Sequence, residues 1–147
     1  MLLQKESNPG LNTITAYGAG YVEINGQAYR HPVRMGPDGP VEQWLVDDVT
    51  QLTYAALREL AGVEDTSSDP MAFLDNVGPT NTTGIEVLLI GTGDTHKLLS
   101  QSVIGPLLRI GIGVEAMSTQ AAARTYNILM SEGRRVVVAL IPPQEQE

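Results

Sequence analysis

IEVLLIGTGDTHKLLSQSVIGPLLRIGIGVEAMSTQAAARTYNILMSEGRRVVVALI, residues 85–141, is the stretch whose reading decides the fold. It holds three short apolar runs, at 85–90, 114–117 and 135–141. Each is too short for a helix of ordinary length and adjoins glycine or proline, so 85–90 and 135–141 predict buried strands and 114–117 a strand. Between them lie helical patterns. One spans about 96–110, with Gly105-Pro106 predicting a kink or restart, because proline inside a helix loses a hydrogen bond and clashes with the preceding turn. The other spans 120–131, with Thr119 as its expected cap, Ala122, Tyr126, Leu129 and Met130 as its apolar stripe, and Gly133 as its stop. The order β-α-β-α-β is that of a sheet with helices packed on its faces.

Upstream the signals change. Strands are expected at 14–17 and 21–24. Asn25-Gly26 then supplies the positive-φ pair of a two-residue hairpin turn into 27–30. These strands either extend the main sheet or form an added layer. Residues 35–40 read as a turn-rich loop, and 41–46 as extended chain with Trp44 turned inward. Thr53 is placed to cap a helix, with Leu52 and Leu57 spaced as a hydrophobic staple and Gly62 closing it at Ala61. The segment 64–84 is long for a connection in a compact domain. Within it Asp69-Pro70 predicts a short helix through Phe73-Leu74. Residues 1–12 read as a flexible arm, 13–141 as a single α/β domain and 142–147 as an exposed tail.

The composition excludes several classes of chemistry. The 147 residues include no cysteine, so disulfides, zinc-thiolate sites and thiol nucleophiles are ruled out. No apolar stretch approaches the roughly 20 residues needed to cross a bilayer, and the N-terminus lacks a signal-peptide core. A soluble cytoplasmic protein without membrane insertion is expected. Residues 38–75 contain nine acids and one base, Arg58, and carry the whole net charge of −8. Such a segment repels nucleic acid. It is either a solvated, solubilising face or a docking face for a basic partner.

Gly91-Thr92-Gly93 after a buried strand suggests a phosphate-binding loop. Both such loops fail at one position: each requires a glycine where His96 stands, and Asp94 puts negative charge beside the loop. The two histidines, His31 and His96, have no ligand spacing; Asp94 and His96 make a weak metal pair at best. No serine-hydrolase elbow is present. No cofactor, metal or catalytic residue is therefore assigned.

If the strands before Gly91 and Ser118 are parallel, their loops open on one carboxyl edge, where ligands of α/β sheets bind. Gly91, Thr92, Gly93, Ser118, Thr119 and Arg124 are the candidate ligand-binding residues of that edge. In the competing structural reading, Thr119 caps, Arg124 bonds carbonyls or Glu115, and Asn127 satisfies a buried amide.

These same residues carry a family resemblance. Gly91-Thr92-Gly93, Gly111-Ile112-Gly113-Val114-Glu115, Met117, Thr119, Arg124-Thr125-Tyr126-Asn127 and Glu132-Gly133-Arg134-Arg135 resemble an uncharacterised domain family of small bacterial and archaeal proteins. That family includes mitochondrial complex I assembly factor 3. The resemblance also takes in Tyr17-Gly18, Asn25-Gly26 and Trp44, and so spans about 14–141. It implies a three-layer α/β fold with a central mixed sheet and an added N-terminal β layer. It also implies a non-enzymatic module that binds another protein. Where relatives often carry a cysteine beside the arginine, this chain has Ala123; its 64–84 segment is longer and Gly105-Pro106 interrupts a helix that is usually smoother. A small-ligand binder or enzyme using the Gly91–Gly93 and Ser118–Arg124 edge is the alternative.

Overall fold

A computed structural model describes residues 10–46, 48–63, 83–94 and 97–144. The expected short helix at Asp69-Pro70, His96 and most of the 64–84 segment lie outside the described residues. Eight strands are described: β1 (Ile14–Gly18), β2 (Tyr21–Ile24), β3 (Gln27–Tyr29), β4 (Val33–Met35), β5 (Glu42–Gln43), β6 (Val87–Gly91), β7 (Gly113–Met117) and β8 (Val136–Leu140). Three helices accompany them: α1 (Tyr54–Ala61), α2 (Gln101–Arg109) and α3 (Thr119–Ser131).

The strands form two sheets. β1, β2 and β3 make an antiparallel meander, and the main sheet runs β5-β4-β8-β6-β7. In the main sheet β6 pairs parallel with both β7 and β8, whereas β4 runs antiparallel to β8. This is the central mixed sheet with an added N-terminal β layer. Asn25 and Gly26 at the β2–β3 turn have φ of 55° and 83°, the positive pair such a hairpin turn demands.

Alternation along the central strands sends side chains to two cores. Leu89, Val136, Val138 and Leu140 join Tyr126, Met130 of α3 and Ile14, Val22, Ile24 of the small sheet. Leu88, Ile90 and Ala139 face the other way, against Leu57 and Leu60 of α1, Leu107 of α2 and Trp44. The layers are therefore α1 and α2, then the main sheet, then α3 with the small sheet. Each fully buried large aliphatic side chain contributes about 1.5–3 kcal/mol.

Asn127 clamps the third layer. Its Oδ1 accepts from Ile14 N at 3.0 Å and its Nδ2 donates to Ile14 O at 2.8 Å, so the side-chain amide acts as a neighbouring strand. The β1–β2 ladder is irregular between Ile14 and Ala16, at the point of this substitution.

Several sequence expectations need correction. β4 is a strand that was not expected: of its residues only Met35 falls in the turn-rich loop read at 35–40, and Val33 to Met35 is extended because β8 supplies its ladder. α2 begins at Gln101, capped by Ser100, and passes through Pro106 without a break. The carbonyl that Pro106 cannot bond belongs to Ser102, on an exposed first turn open to water. The cap of α3 is Ser118, whose side chain accepts from Ala121 N, and Thr119 is already helical. The arm assigned to 1–12 is anchored at its end. Asn12 is buried, its N–H donates to Pro37 O at 2.8 Å, and its Nδ2 donates to Gly36 O and Gly39 O. The tail is also held at its start, where Pro143 O accepts from Gly20 N at 2.7 Å.

Candidate functional site

β6, β7 and β8 are parallel, so their carboxyl ends, at Gly91, Met117 and Leu140, share one edge. Five of the six candidate residues meet there. Gly91 is required by close approach: a Cβ would stand 2.8 Å from Leu140 Cδ2 and 3.1 Å from Thr119 Cα. Gly93 has φ of 97°, in the left-handed region that favours glycine.

The polar groups of the loop are spent inside the fold. Thr92 donates to Met117 O from its N–H at 2.8 Å and from its hydroxyl at 3.1 Å. Gly93 N donates to Thr119 Oγ1 at 2.9 Å, and Thr119 N returns a bond to Gly93 O at 2.9 Å. The Thr119 hydroxyl then donates to Ile141 O at 2.5 Å, and Ile141 N donates to Gly91 O at 3.0 Å. Thr119 has 0% exposure. One hydroxyl thus ties the chain leaving β6, the start of α3 and the chain leaving β8. A loop whose N–H groups already point at protein acceptors presents few donors to an anion.

Arg124 stands apart from this knot. It is exposed, and its guanidinium donates to Tyr17 Oη of β1 at 3.3 Å, bridging α3 to the small sheet. This partner on β1 was not among those expected, carbonyls or Glu115. Asp94 accepts from Gln144 N at 3.0 Å and so pins the C-terminal chain. A cleft of about 240 Å³ lies beside them, between Tyr17–Ala19, Gly93, Asp94, Gln120 and Pro143-Gln144.

The opposite edge holds a feature that the sequence reading passed over. A cavity of about 500 Å³ opens where β8 begins, lined by Leu11, the Gly36–Asp38 turn, the end of α1 at Leu60–Gly62, Thr83, Ile85, Met130 and 133–137. Glu86 organises its rim. Its Oε2 accepts from Arg135 N at 3.0 Å and from Arg134 Nε at 3.2 Å. The Arg135 N–H bond, aided by Arg134, holds the Glu86 carboxyl below its ordinary range. Next in sequence to Leu11 of the lining, Asn12 O accepts from Tyr126 Oη at 2.7 Å; burial, with Asp38 nearby, pushes this hydroxyl above the usual tyrosine value. The only sequence signal for this cavity was Arg134-Arg135 directly before a buried strand.

Among the described residues, no group of three histidine, aspartate or glutamate side chains is placed to hold a metal. No helix among them is long and apolar enough to cross a membrane.

Comparison with known proteins adds the decisive observation. Residues 14–141 match a family described as "Protein of unknown function (DUF498/DUF598)". The chain belongs to this family. The DUF498/DUF598 match runs from the first residue of β1 to Ile141, the residue whose carbonyl receives the Thr119 hydroxyl. An uncharacterized protein of Rhodobacter capsulatus is 32% identical over 133 residues, covering 90% of this chain and 86% of its own. NADH dehydrogenase [ubiquinone] 1 alpha subcomplex assembly factor 3 of Danio rerio is 30% identical over 142 residues, covering 97% of this chain and 70% of its own. A crystal structure from Bordetella parapertussis superposes with a TM-score of 0.74 at 47% identity, covering 90% of this chain and 97% of that one.

Proposed function

We propose that the chain is a non-enzymatic, cytoplasmic protein-binding module that assists assembly of a respiratory NADH dehydrogenase. The observation that carries this reading is the match, over 97% of the chain, to a relative named as an assembly factor of that complex. The knot at the carboxyl edge supports it. Gly91, Thr92, Gly93, Ser118 and Thr119 act in cohesion between β6, α3 and β8, which leaves the ligand-edge alternative short of donors.

The partner meets the acidic segment. Of its acids, Asp38, Glu42 and Glu59 are exposed, whereas Asp48 is half-buried and caps a short turn through Thr50. Glu59 pairs with Arg34 at 2.7 Å, while Glu42 is left to solvent on the edge strand β5. A partner with a basic surface complements such a face, and the attraction falls with ionic strength.

The test is co-purification of the tagged chain with NADH dehydrogenase subunits from its native host, at low and high salt. The variant Glu42→Gln/Glu64→Gln/Asp65→Asn/Asp69→Asn/Asp75→Asn removes acids without touching Asp48 or Glu59. Subunits recovered with the wild-type chain and lost with the variant or at high salt are expected. Equal recovery with both chains at both salts would remove the acidic segment from the interface. Recovery of no subunit under any condition would remove the assembly role.

A further inference from the structure

The cavity at the start of β8 has the make-up of a small-molecule site. Its volume, about 500 Å³, falls within the range of ligand pockets, roughly 300–1,000 Å³. Its floor is apolar, built from Leu60, Ile85, Met130 and Val136. Its rim carries Arg135 and Asp38, both exposed.

Arg135 is the unusual member. Its neighbour Arg134 is neutralised by Glu86, and the same carboxylate takes the Arg135 backbone N–H, which fixes where the Arg135 side chain departs. The Arg135 guanidinium itself finds no hydrogen-bond acceptor or carboxylate partner among the described residues. It stands against Gly84, where a Cβ would lie 3.3 Å from Arg135 Nε. A side chain at position 84 would crowd that stem, and Gly84 also has φ of 76°. The nearby end of α3 is electrostatically quiet, because Gly133 N and Arg134 N already bond Met130 O and Leu129 O. A fork of donors at the mouth of an apolar cavity recognises a carboxylate or sulfonate, and the low-dielectric wall strengthens that pairing.

We propose that this cavity binds a small anion with an apolar body, its acid group on Arg135 and its body over Met130 and Ile85. Asp38, also in the lining, opposes the charge of such a ligand, so removing it strengthens binding. A cationic ligand would reverse both signs. The cavity shares Asp38 and the end of α1 with the acidic segment. The acid-removing variant of the docking face leaves Asp38 and Arg135 unchanged, so failure of one reading is distinguishable from failure of the other.

The probe is 8-anilinonaphthalene-1-sulfonate, followed by fluorescence with the folded chain. Saturable one-to-one enhancement is expected, displaced by octanoate and not by octylamine. Arg135→Gln is expected to weaken the probe roughly tenfold or more, from loss of charge-assisted bonds. Arg135→Lys should fall between it and wild type, because charge remains and the fork is lost. Asp38→Asn should tighten binding, and Arg109→Gln on α2 should leave it unchanged. Unfolding midpoints in urea show that each variant is folded; should Arg135→Gln not fold, Arg135→Lys and the head-group series decide the matter. The proposal is overturned by non-saturable enhancement, by equal affinity in the Arg135 variants, or by displacement with octylamine in place of octanoate.

Discussion

Replacing Thr119 by valine separates cohesion from ligand binding at the carboxyl edge. Valine keeps the shape and deletes the one hydroxyl that accepts from Gly93 N and donates to Ile141 O. Gly93 is buried and Ile141 half-buried, so the first orphaned group loses its partner in full and the second recovers part of it from water. An unsatisfied buried donor or acceptor costs about 1–3 kcal/mol, which for this pair comes to about 2–4 kcal/mol. In a chain of this size that is a fall in Tm of roughly 5–15 °C. Thr119→Ser keeps the hydroxyl and loses one methyl, for a loss of about 1 kcal/mol. Calorimetric melts and urea unfolding of the three proteins measure both quantities. A Thr119→Val midpoint within about 0.5 kcal/mol of wild type, the ordinary range for surface substitutions, would refute the knot.

Three further outcomes follow from the same geometry. Gly93→Val forces a β-branched residue to a φ of 97°, so urea melts should show a loss of about 1–3 kcal/mol; a wild-type midpoint would contradict this. Arg124→Leu should stay within about 1 kcal/mol of wild type, because the side chain is exposed and its bond to Tyr17 Oη is long, at 3.3 Å; a loss above about 2 kcal/mol would show that Arg124 is held by more than this bond. The Glu86 carboxyl, followed by NMR, should titrate below its ordinary 4.5, because the Arg135 N–H and then Arg134 favour its charged form. A depressed value means that its contribution is present above the ordinary value and fades as pH falls through the lowered one. Titration at or above 4.5 would contradict the bonding of Glu86 to Arg135 N and Arg134.

The parallel core was legible because its strands are short apolar stretches adjoining glycine or proline, a signal that needs no tertiary information. The N-terminal hairpin was legible for a similar reason, since Asn25-Gly26 suits few other turns. β4 was not. Its three residues sit between proline-containing turns, and only the β8 ladder makes them a strand. Ser118 and Thr119 are both good caps; what decided between them was the long-range bond from Thr119 to Ile141. The candidate edge residues were correctly placed together, apart from Arg124, but sequence could not show that their donors face inward. Tyr17, which Arg124 bonds, lies on β1, more than a hundred residues away, and no local pattern points to it. The cavity is assembled from five separated segments, so only its two arginines left a trace.

The most direct test of the assembly role is the state of NADH dehydrogenase in the native host after deletion of this chain, resolved on native gels with in-gel activity. Loss of the complete complex and accumulation of partial assemblies, both restored by the wild-type chain, is the expected result. An unchanged amount and activity of the complete complex would contradict it.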